Sequence, residues 1–408
     1  MSDNKPVKLH SVIDGLKIRG FRLFNDTETD LTPLTVFVGK NGSGKSSLLK
    51  ALLTIPLAVD ESMRKAIERI GGGSGIFHKD STLIELVLSV STYDDESELF
   101  GSIEHTVRLQ KSNTSPLGFK VSKELLDVFN SNGEVLAFAE SIKQQKSEIL
   151  RVKGKVYIEN NPFSGVEPEF IRCRDDDIPC LKWPQVRFLP FVSRIYGHTN
   201  RVFRVDPSSP GYFREDGRLR GWQESDGSEL WSFIYDMCNG NKKVNTDSKE
   251  NWLNNLKQFM PWITDIRAEK DLTGAIRVVV REAGDANFHP MDLSDGTLML
   301  MGRLAILETN GKLLIIDEPE AHLHPDAITL LMKIYREYVN DPNTSFSQII
   351  IATQSPFVVR ACNPEEVKVV SREGNKSEIF ALTDNSDKYK SRLFEAGMSL
   401  DEAWLAQI

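Results

Sequence analysis

Short apolar runs rich in β-branched residues alternate along this chain with longer periodic segments. The runs at Leu34–Val38, residues 313–316 and residues 347–353 have the length and composition of buried strands. Residues 46–53 and 298–307 have the apolar pattern of helices, and the first of these helices is expected to stop before Pro56. Strands that alternate with helices predict an α/β fold with a parallel sheet.

The middle of the chain has a different pattern. Residues 83–91 and 105–110 predict sheet strands, and the GGGSG segment at residues 71–75 predicts a flexible turn. Residues 123–130 and 136–152 predict charged helices, and neither sustains the heptads of a coiled coil. The expected organisation is an N-terminal half-domain over residues 1–110, a helical and irregular insertion over residues 111–285, and a C-terminal half-domain over residues 286–408.

Composition and charge exclude some classes of function. The 408 residues include 50 Lys and Arg against 58 Asp and Glu, which gives a net charge of -8. This charge argues against nucleic-acid binding by the protein as a whole, so any such binding would require a local basic face. The polar N-terminal segment is unlike a signal peptide, and the most apolar stretch, residues 298–307, is interrupted by Arg303 and too short to span a bilayer. We therefore expect a cytoplasmic protein without a membrane segment. The cysteines do not have the spacing of metal ligands, and we expect them to be reduced thiols. They are Cys173, Cys180, Cys238 and Cys362.

A glycine-rich loop joins the first predicted strand of the α/β pattern to its helix. The sequence VGKNGSGKSSLL, residues 38–49, contains the pattern GxxxxGK[ST]. Its glycines let backbone amides turn inward around phosphates, its lysine reaches the β- and γ-phosphates, and its serine hydroxyl binds Mg²⁺. A plain glycine-rich connection is the alternative, and the strand–loop–helix context argues against it. The candidate nucleotide-binding residues are Gly39, Asn41, Gly42, Ser43, Gly44, Lys45, Ser46 and Ser47, of which Ser46 is also a candidate metal ligand.

Two adjacent acidic residues follow the strand predicted at residues 313–316. Asp317 and Glu318 are expected at the carboxyl end of that strand, the edge where ligands bind in open parallel sheets. Phosphoryl transfer needs charge neutralisation and a positioned nucleophile, so we assign Asp317 to Mg²⁺ and Glu318 to the attacking water. An acidic strand end before a turn at Pro319 is the alternative. ATP and Mg²⁺ are the expected cofactors.

A second anion site is predicted before the helix at residues 298–307. Ser294, Asp295 and Gly296 would lie at its N-terminus, where backbone amides favour negative charge. Because the sequence contains no second phosphate loop, the simplest arrangement is a homodimer in which each protomer caps the ATP held by the other. A plain helix cap is the alternative. Gln354 follows the strand within residues 347–353 and is a candidate sensor of the γ-phosphate.

The order of these motifs resembles that of the ATP-binding-cassette ATPases of the SMC/RecF type, and more narrowly the compact prokaryotic AAA_21-type ATPases. The resemblance covers residues 16–53, LSDGT at 293–297, IIDEPEAHLHP, ATQSPFVV and a closing segment, LFEAGMSLDEAWL. It implies a P-loop NTPase fold with an ABC-type cassette, a mixed sheet and flanking helices. It also implies that the phosphate loop is the Walker A motif, that Ser294 and Gly296 act in trans as the signature, that Asp317 is the Walker B aspartate, and that Glu318 is the catalytic carboxylate. By the same resemblance, His322 to His324 lie in the D-loop.

The sequence departs from the family pattern at two positions. Gln354 replaces the usual histidine of ATHSP, and glutamine cannot become cationic near neutral pH, so slow hydrolysis is expected. No glutamine occurs between Lys45 and Gln110, so the Q-loop position is unassigned, with His78 and Glu85 as weak candidates.

Three functional classes remain open. The first is an ATPase dimer coupled to DNA or to a separately encoded nuclease or toxin effector, in prokaryotic anti-phage defence or DNA repair. The second is a nucleotide-dependent switch or scaffold with slow turnover, and the third, which the departures disfavour, is the ATPase subunit of a transporter. One segment, called here the arginine-rich segment, contains arginines and aromatic residues that could contact the phosphates and bases of a nucleic acid. A solvated loop region is the preferred interpretation of this segment. These residues are Arg187, Phe188, Arg194, Tyr196, Arg201, Phe203, Arg204, Tyr212, Arg214, Arg218, Arg220 and Trp222.

Overall fold

The chain contains both strands and helices, as the sequence predicts. The computed structural model describes residues 10–60, 63–93, 98–113, 115, 118–144, 147–154, 202–205, 230–240, 247–270, 272, 276–284, 286–309, 313–341 and 348–382. Within them the strands are β1 (His10–Phe21), β2 (Phe24–Asp30), β3 (Leu34–Val38), β4 (Leu83–Tyr93), β5 (Leu99–Lys111), β6 (Phe119–Asn130), β7 (Val135–Gln144), β8 (Ser147–Gly154), β9 (Val202–Val205), β10 (Ile263–Lys270), β11 (Ile276–Glu282), β12 (Asn287–Phe288), β13 (Leu313–Asp317), β14 (Gln348–Thr353), β15 (Val367–Glu373) and β16 (Lys376–Ala381). The helices are α1 (Lys45–Asp60), α2 (Met63–Arg69), α3 (Leu230–Cys238), α4 (Ser248–Phe259), α5 (Asp295–Leu307), α6 (Pro325–Asn340) and α7 (Pro356–Arg360).

The first of two compact units is built on an antiparallel sheet. It contains Met1–Pro33, Gly39–Val202 and Lys368–Ala381, and its strand order is β2-β1-β4-β5-β6-β7-β8. Ile18, Leu86 and Val107 are paired in register across three strands and are buried. Helix α1 contacts β1 and β4, so the core of this unit lies between the sheet and the helix.

A hairpin from late in the sequence joins this first unit. Strands β15 and β16 pair antiparallel, and β16 packs against β2. The Ser377 amide donates to Leu23 O at 2.9 Å, and the buried ammonium of Lys368 pairs with Asp30 at 2.7 Å. The hairpin is thereby fixed beside the residues that precede the phosphate loop in sequence.

The second unit contains the parallel strands. It combines Leu34–Val38, Phe203–Val367 and Leu382–Ile408. Strand β14 runs parallel to β3 on one side and to β13 on the other, and all the residues of β14 are buried. Helix α6 contacts β3 and β14, and α5 contacts α3 and α4, where the Trp252 indole donates to Met301 O at 3.0 Å. A small antiparallel sheet, β10-β11-β12, completes the unit.

The strands of the α/β pattern are confirmed, but the first helix is longer than predicted. Helix α1 continues through Pro56 to Asp60, although proline lacks the amide that would complete the helical hydrogen bond. Ile55, Pro56 and Ala58 are all buried, so apolar packing beyond the proline compensates for that lost bond.

The helices predicted at residues 123–130 and 136–152 were wrong, because these residues form β6, β7 and β8. In β6 the side chains of Glu124, Leu126 and Val128 alternate on a buried face. The glutamate hid this period of two in the sequence, and it is tolerated there because His105 Nε2 lies 2.7 Å from its carboxylate. Pairing with neighbouring strands outweighs helix propensity in β7 and β8.

Among the described helices, none combines the length and apolar character needed to cross a membrane. The longest are α1 and α6, of 16 residues each.

Candidate nucleotide-binding and catalytic residues

The phosphate loop depends on glycine at several points. Gly42 and Gly44 have φ values of +75° and +110°, which side chains with a Cβ rarely adopt. A Cβ built on Gly39 would lie 2.3 Å from Val370 O, and one on Gly44 would lie 2.9 Å from Ser377 Oγ. The loop is therefore a tight backbone cradle, as phosphate binding requires.

Two residues of the β15–β16 hairpin form hydrogen bonds with the phosphate loop, and the sequence analysis did not identify them. The buried Ser377 hydroxyl donates to Ser43 O at 2.6 Å, and Arg372 Nη1 donates to Gly42 O at 3.0 Å. Both lie more than 300 positions away in sequence. No local pattern could have linked them to the loop.

Lys45 occupies the hollow of the loop. Its side chain is buried, and Nζ donates to Gly39 O at 2.7 Å and to Lys40 O at 3.0 Å. The Ser43 hydroxyl is also buried and has no hydrogen-bond partner within the part of the chain that the structure describes. A buried ammonium, an unsatisfied hydroxyl and a glycine cradle suit a polyphosphate.

The remaining loop residues differ in exposure. Asn41 and Ser46 are exposed, and Ser47 is half-buried. Ser46 is the second residue of α1, which begins at Lys45, so its hydroxyl lies at the helix N-terminus. A hydroxyl oxygen is one kind of ligand that Mg²⁺ accepts, and a carboxylate oxygen, such as that of the half-buried Asp317 at the end of β13, is another.

Asp317 and Glu318 lie at the carboxyl edge of the parallel strands. Asp317 is in register with Ala352, and Thr353 is in register with Val38, so β13, β14 and β3 end at the same edge. The phosphate loop begins at the next residue after Val38. This is the edge that the sequence predicted for the ligand.

Glu318 has an unusual backbone and a defined partner. Its φ is +52°, and its amide donates to Ala352 O at 2.7 Å. The side-chain amide of Gln354 donates to Glu318 Oε1 at 3.2 Å. The structure thus brings together both residues that the sequence predicted to be catalytic.

A second carboxylate, that of Glu320, belongs to the same turn as Glu318, and the sequence analysis did not identify it. Glu320 Oε1 accepts from the Thr353 hydroxyl at 2.6 Å, and Thr353 Oγ1 in turn accepts from the Ser355 amide at 2.8 Å. Burial raises the pKa of the Glu320 carboxyl above its ordinary value, since the hydrogen bonds it accepts offset only part of the desolvation. The feature of the sequence that could have indicated this residue is the third acidic residue of the DEPE motif, which is Glu320.

The candidate signature residues begin α5. Ser294 is the exposed N-cap, and its Oγ accepts from the Thr297 amide at 3.2 Å, so the plain capping role is present. A Cβ on Gly296 would lie 2.5 Å from His322 O. This short distance places the predicted D-loop directly against the start of α5, and His322 itself has a φ of +65°.

Helix α5 contacts the same loop again through Arg303. This guanidinium is almost fully buried, and Nη1 donates to Ala321 O at 3.2 Å. Burial lowers its pKa, and its Nε and Nη2 have no hydrogen-bond partner among the described residues. The arginine that interrupts the apolar stretch is therefore a core residue that supports the loop after Glu318.

The weak Q-loop candidates already have protein partners. Glu85 pairs with Arg19 at 3.0 Å and with Arg108, and the buried His78 ring lies 3.2 Å from Asn375 O. The Q-loop position stays unassigned. Of the arginine-rich segment, Phe203 and Arg204 lie in β9, without described side chains, and the other residues of that segment lie outside the described residues, as does LFEAGMSLDEAWL.

Two family models match different parts of the chain. A model described as "AAA ATPase domain" matches residues 12–163, which include the phosphate loop. A model described as "AAA domain, putative AbiEii toxin, Type IV TA system" matches residues 223–360, which include Ser294, Asp317, Glu318 and Gln354. None of the curated proteins compared with the chain matches it.

The solved structures similar to this chain include heads of SMC proteins. An SMC head bound to the C-terminal winged-helix domain of ScpA is 14% identical, with a TM-score of 0.52, over 90% of this chain and 97% of that one. The head from Thermotoga maritima is 15% identical with a TM-score of 0.43, over 90% and 98% of the two chains. A head with coiled coil and joint from Pyrococcus yayanosii is 10% identical with a TM-score of 0.48, over 97% and 99%. The first similarity supports an α/β P-loop NTPase fold of the SMC-head kind.

Proposed function

We propose that this chain, which carries AAA_15 and AAA_21 ATPase domains on an SMC-head-like fold, is a Mg²⁺-dependent ATP hydrolase that closes as a homodimer around two ATP molecules. The observation that carries the proposal is the hydrogen bond between Gln354 and Glu318, at the edge where β3 leads into the phosphate loop. Phosphoryl transfer to water needs a positioned nucleophile and neutralisation of charge, and the carboxylate, the phosphate cradle and Mg²⁺ would supply these.

Nucleotide binding is assigned to the loop and to the start of α1. Backbone amides from Gly39 to Ser47 surround the phosphates, and the Lys45 ammonium exchanges its carbonyl partners for phosphate oxygens. Ser46 and Asp317 are the proposed Mg²⁺ ligands. Bound there, the ion would neutralise charge that develops on the phosphates.

Hydrolysis is assigned to Glu318 and Gln354. The Glu318 carboxylate would accept a hydrogen bond from the attacking water and take up its proton as the bond from the water oxygen to the γ-phosphorus forms and the bond from the γ-phosphorus to the bridging oxygen breaks, with ADP as the leaving group. Gln354 orients that carboxylate through its side-chain amide and carries no charge of its own. Turnover is consequently expected to be slow.

Dimer closure is assigned to the start of α5. Ser294 is exposed, and Gly296 adds a backbone amide at the helix N-terminus, where an anion is favoured. A γ-phosphate held by the opposite protomer would provide a contact that exists only in the closed state. Differential contacts of this kind are what shift a conformational equilibrium.

The proposed partner of the closed dimer is DNA or a separately encoded nuclease or toxin effector, in anti-phage defence or DNA repair. The family description that names a putative AbiEii toxin supports the effector, and the order of motifs, which resembles that of the SMC/RecF-type ATPases, is the reason for proposing DNA. The division into residues 1–110, 111–285 and 286–408 stays a prediction, as does a cytoplasmic location.

A nucleotide-dependent switch with minimal turnover is the second candidate. It is favoured by one feature, the neutral Gln354 in place of an ionisable side chain. A switch of this kind would bind ATP tightly and dimerise without appreciable hydrolysis.

The first experiment measures ATP hydrolysis by the wild type, Lys45→Ala and Glu318→Gln, with and without duplex and single-stranded DNA. We expect Lys45→Ala to lose ATP binding and Glu318→Gln to bind ATP but hydrolyse it far more slowly than the wild type. Glu337→Gln, an exposed substitution of the same kind beside Lys333, is the matched control. Hydrolysis by Glu318→Gln at the wild-type rate would refute the catalytic assignment, and no hydrolysis by the wild type would favour the switch.

A further inference from the structure

The turn that carries Glu318 has a backbone that its own residues do not favour. Glu318 and His322 both have positive φ values, +52° and +65°, and neither is glycine. Such conformations persist where surrounding contacts determine them, and they concentrate at functional sites. The contacts that hold this turn therefore decide where the Glu318 carboxylate lies.

Most of these contacts come from one short stretch, residues 352–355. Ala352 O accepts from the Glu318 amide at 2.7 Å, and the Thr353 hydroxyl donates to Glu320 at 2.6 Å. Thr353 Oγ1 also accepts from the Ser355 amide at 2.8 Å, which fixes the backbone on either side of Gln354.

Gln354 connects the two carboxylates of the turn. Its side-chain amide donates to Glu318 Oε1 at 3.2 Å, and its backbone lies between Thr353, which donates to Glu320, and Ser355, whose amide donates to Thr353 Oγ1. Glu318 in turn raises the pKa of Glu320 through its charge, after the larger effect of burial, so the two carboxylates lie close enough to interact. A displacement at Glu320 would move the backbone from which Gln354 reaches Glu318.

We propose that Glu320 and Thr353 are positioning residues, whose hydrogen bond holds the Gln354 backbone so that the Gln354 side chain orients Glu318. The proposal rests on the hydrolase function proposed above and extends it to two residues with no direct role in the reaction. Arg303 also supports this turn, by donating a hydrogen bond to Ala321 O.

The test compares Thr353→Val with Thr353→Ser. Valine keeps the shape of threonine and removes the hydroxyl, whereas serine keeps the hydroxyl and removes a methyl group. We expect Thr353→Val to lower kcat by roughly a hundredfold, the size of effect that a 1 Å misplacement produces. ATP affinity, measured by equilibrium binding, should be unchanged, and Thr353→Ser should keep most of the activity.

A second comparison separates positioning from simple loss of structure. Thr353→Val is combined with Glu318→Gln, and single-turnover hydrolysis is measured for both single variants and the double variant. If Thr353 acts through Glu318, the double variant should be no slower than Glu318→Gln alone. A purely structural role would instead lower the thermal midpoint and weaken ATP binding in both backgrounds.

The outcomes also separate this proposal from the proposed function. Wild-type kcat in Thr353→Val, together with lost hydrolysis in Glu318→Gln, would overturn the positioning role and leave the hydrolase intact. Equal loss in the serine and valine variants would overturn it as well. Undiminished hydrolysis in Glu318→Gln would overturn the hydrolase assignment itself.

Discussion

Gln354 places a neutral amide against the Glu318 carboxylate, at a distance of 3.2 Å. A side-chain amide has no ionisable proton, so the donor in this contact does not titrate. It therefore orients Glu318 without adding the positive charge that a histidine can supply.

The substitution Gln354→Glu keeps the size of the side chain and replaces the donor by a second carboxylate. We expect single-turnover hydrolysis at neutral pH to fall by roughly a hundredfold, as for loss of one catalytic hydrogen-bond donor. Two adjacent carboxylates raise the pKa of one of them, so lowering the pH should restore a donating proton and part of the rate relative to the wild type.

The control for that prediction is Gln258→Glu, an exposed position on α4. It should leave the rate and its pH dependence unchanged. A Gln354→Glu enzyme whose deficit is the same at all pH values would show that the amide does not act through Glu318.

Candidate residues could be selected from the sequence where one short motif contains the chemistry. Lys45, Ser46, Asp317 and Glu318 each follow from a local pattern whose strand and helix context is also local. Thr353 and Ser377 were not predictable, because their roles arise from a neighbour 33 positions away in one case and 334 in the other. A hydroxyl carries no sequence signal of the group that it will contact.

At the scale of elements, α5 contacts the turn after β13 at two points. Gly296 packs against His322 O near its N-terminus, and Arg303 donates to Ala321 O farther along. The helix that carries the candidate signature is thus mechanically connected to the turn that carries Glu318.

The substitution Gly296→Ala tests this connection. Alanine is favoured over glycine in helices by about 1 kcal/mol. However, its Cβ would meet a backbone carbonyl at 2.5 Å, and overpacking typically costs roughly 1–3 kcal/mol. We expect the clash to prevail, lowering stability in urea and lowering kcat by about tenfold through displacement of the turn.

Gly75→Ala is the matched control, because nothing lies within 4 Å of the Cβ position there. It should leave stability and kcat unchanged. Normal turnover in Gly296→Ala would indicate that α5 and the turn move independently.

The C-terminal end of α5 carries a buried carboxyl group. Glu308 is the C-cap, accepts from the Tyr338 hydroxyl of α6, and is hydrogen-bonded by Asn251 and Ser248 of α4. Burial raises its pKa from 4.5 to about 7, against the opposing effect of these donors.

This carboxyl group should make stability depend on pH. Between about pH 4.5 and 7 the unfolded state loses the Glu308 proton while the folded state retains it, so stability falls as pH rises, by on the order of 3 kcal/mol in total. The substitution Glu308→Gln should remove this decline, giving a stability difference that grows in its favour up to about pH 7. Urea unfolding of both proteins across this range measures it, and parallel pH profiles would contradict it.

The prediction of elements from sequence succeeded for the parallel strands and for β4 and β5, and it failed for β6, β7 and β8 of the antiparallel sheet. Strands β3, β13 and β14 are buried on both faces and show continuous apolar runs. Strand β6 carries Glu124 on its buried face, and the buried partner that makes this acceptable, His105, belongs to another strand. The periodicity of apolar residues and the strand propensity are properties of one segment of sequence at a time. They therefore cannot reveal a pair of buried side chains from two different strands.

At the scale of the whole molecule, the proposed dimer depends on an anion bound at Ser294. Aspartate and asparagine cap helices about as well as serine, so Ser294→Asp and Ser294→Asn should fold equally well. Aspartate adds a negative charge where a γ-phosphate is expected, and asparagine does not. In the Glu318→Gln background, light scattering with ATP should show monomers for the aspartate variant and dimers for the asparagine variant.

Equal dimerisation of the two variants would remove Ser294 from the ATP-bound interface. Loss of dimers in both would indicate that the serine hydroxyl itself is required. In either case, the ATP affinity of each variant serves as the check that its phosphate loop is intact.

The attachment of the phosphate loop to the β15–β16 hairpin has a consequence for synthesis of the chain. Ser377 and Ser43 are separated by 334 positions, and Ser377 must be present before it can support the loop. At about 5–20 residues per second, a ribosome needs roughly 20–70 s to cover that interval. Throughout that interval a nascent chain carries its phosphate loop without the hydrogen bond that supports it, and stable nucleotide loading is expected only after the β15–β16 hairpin has been synthesised.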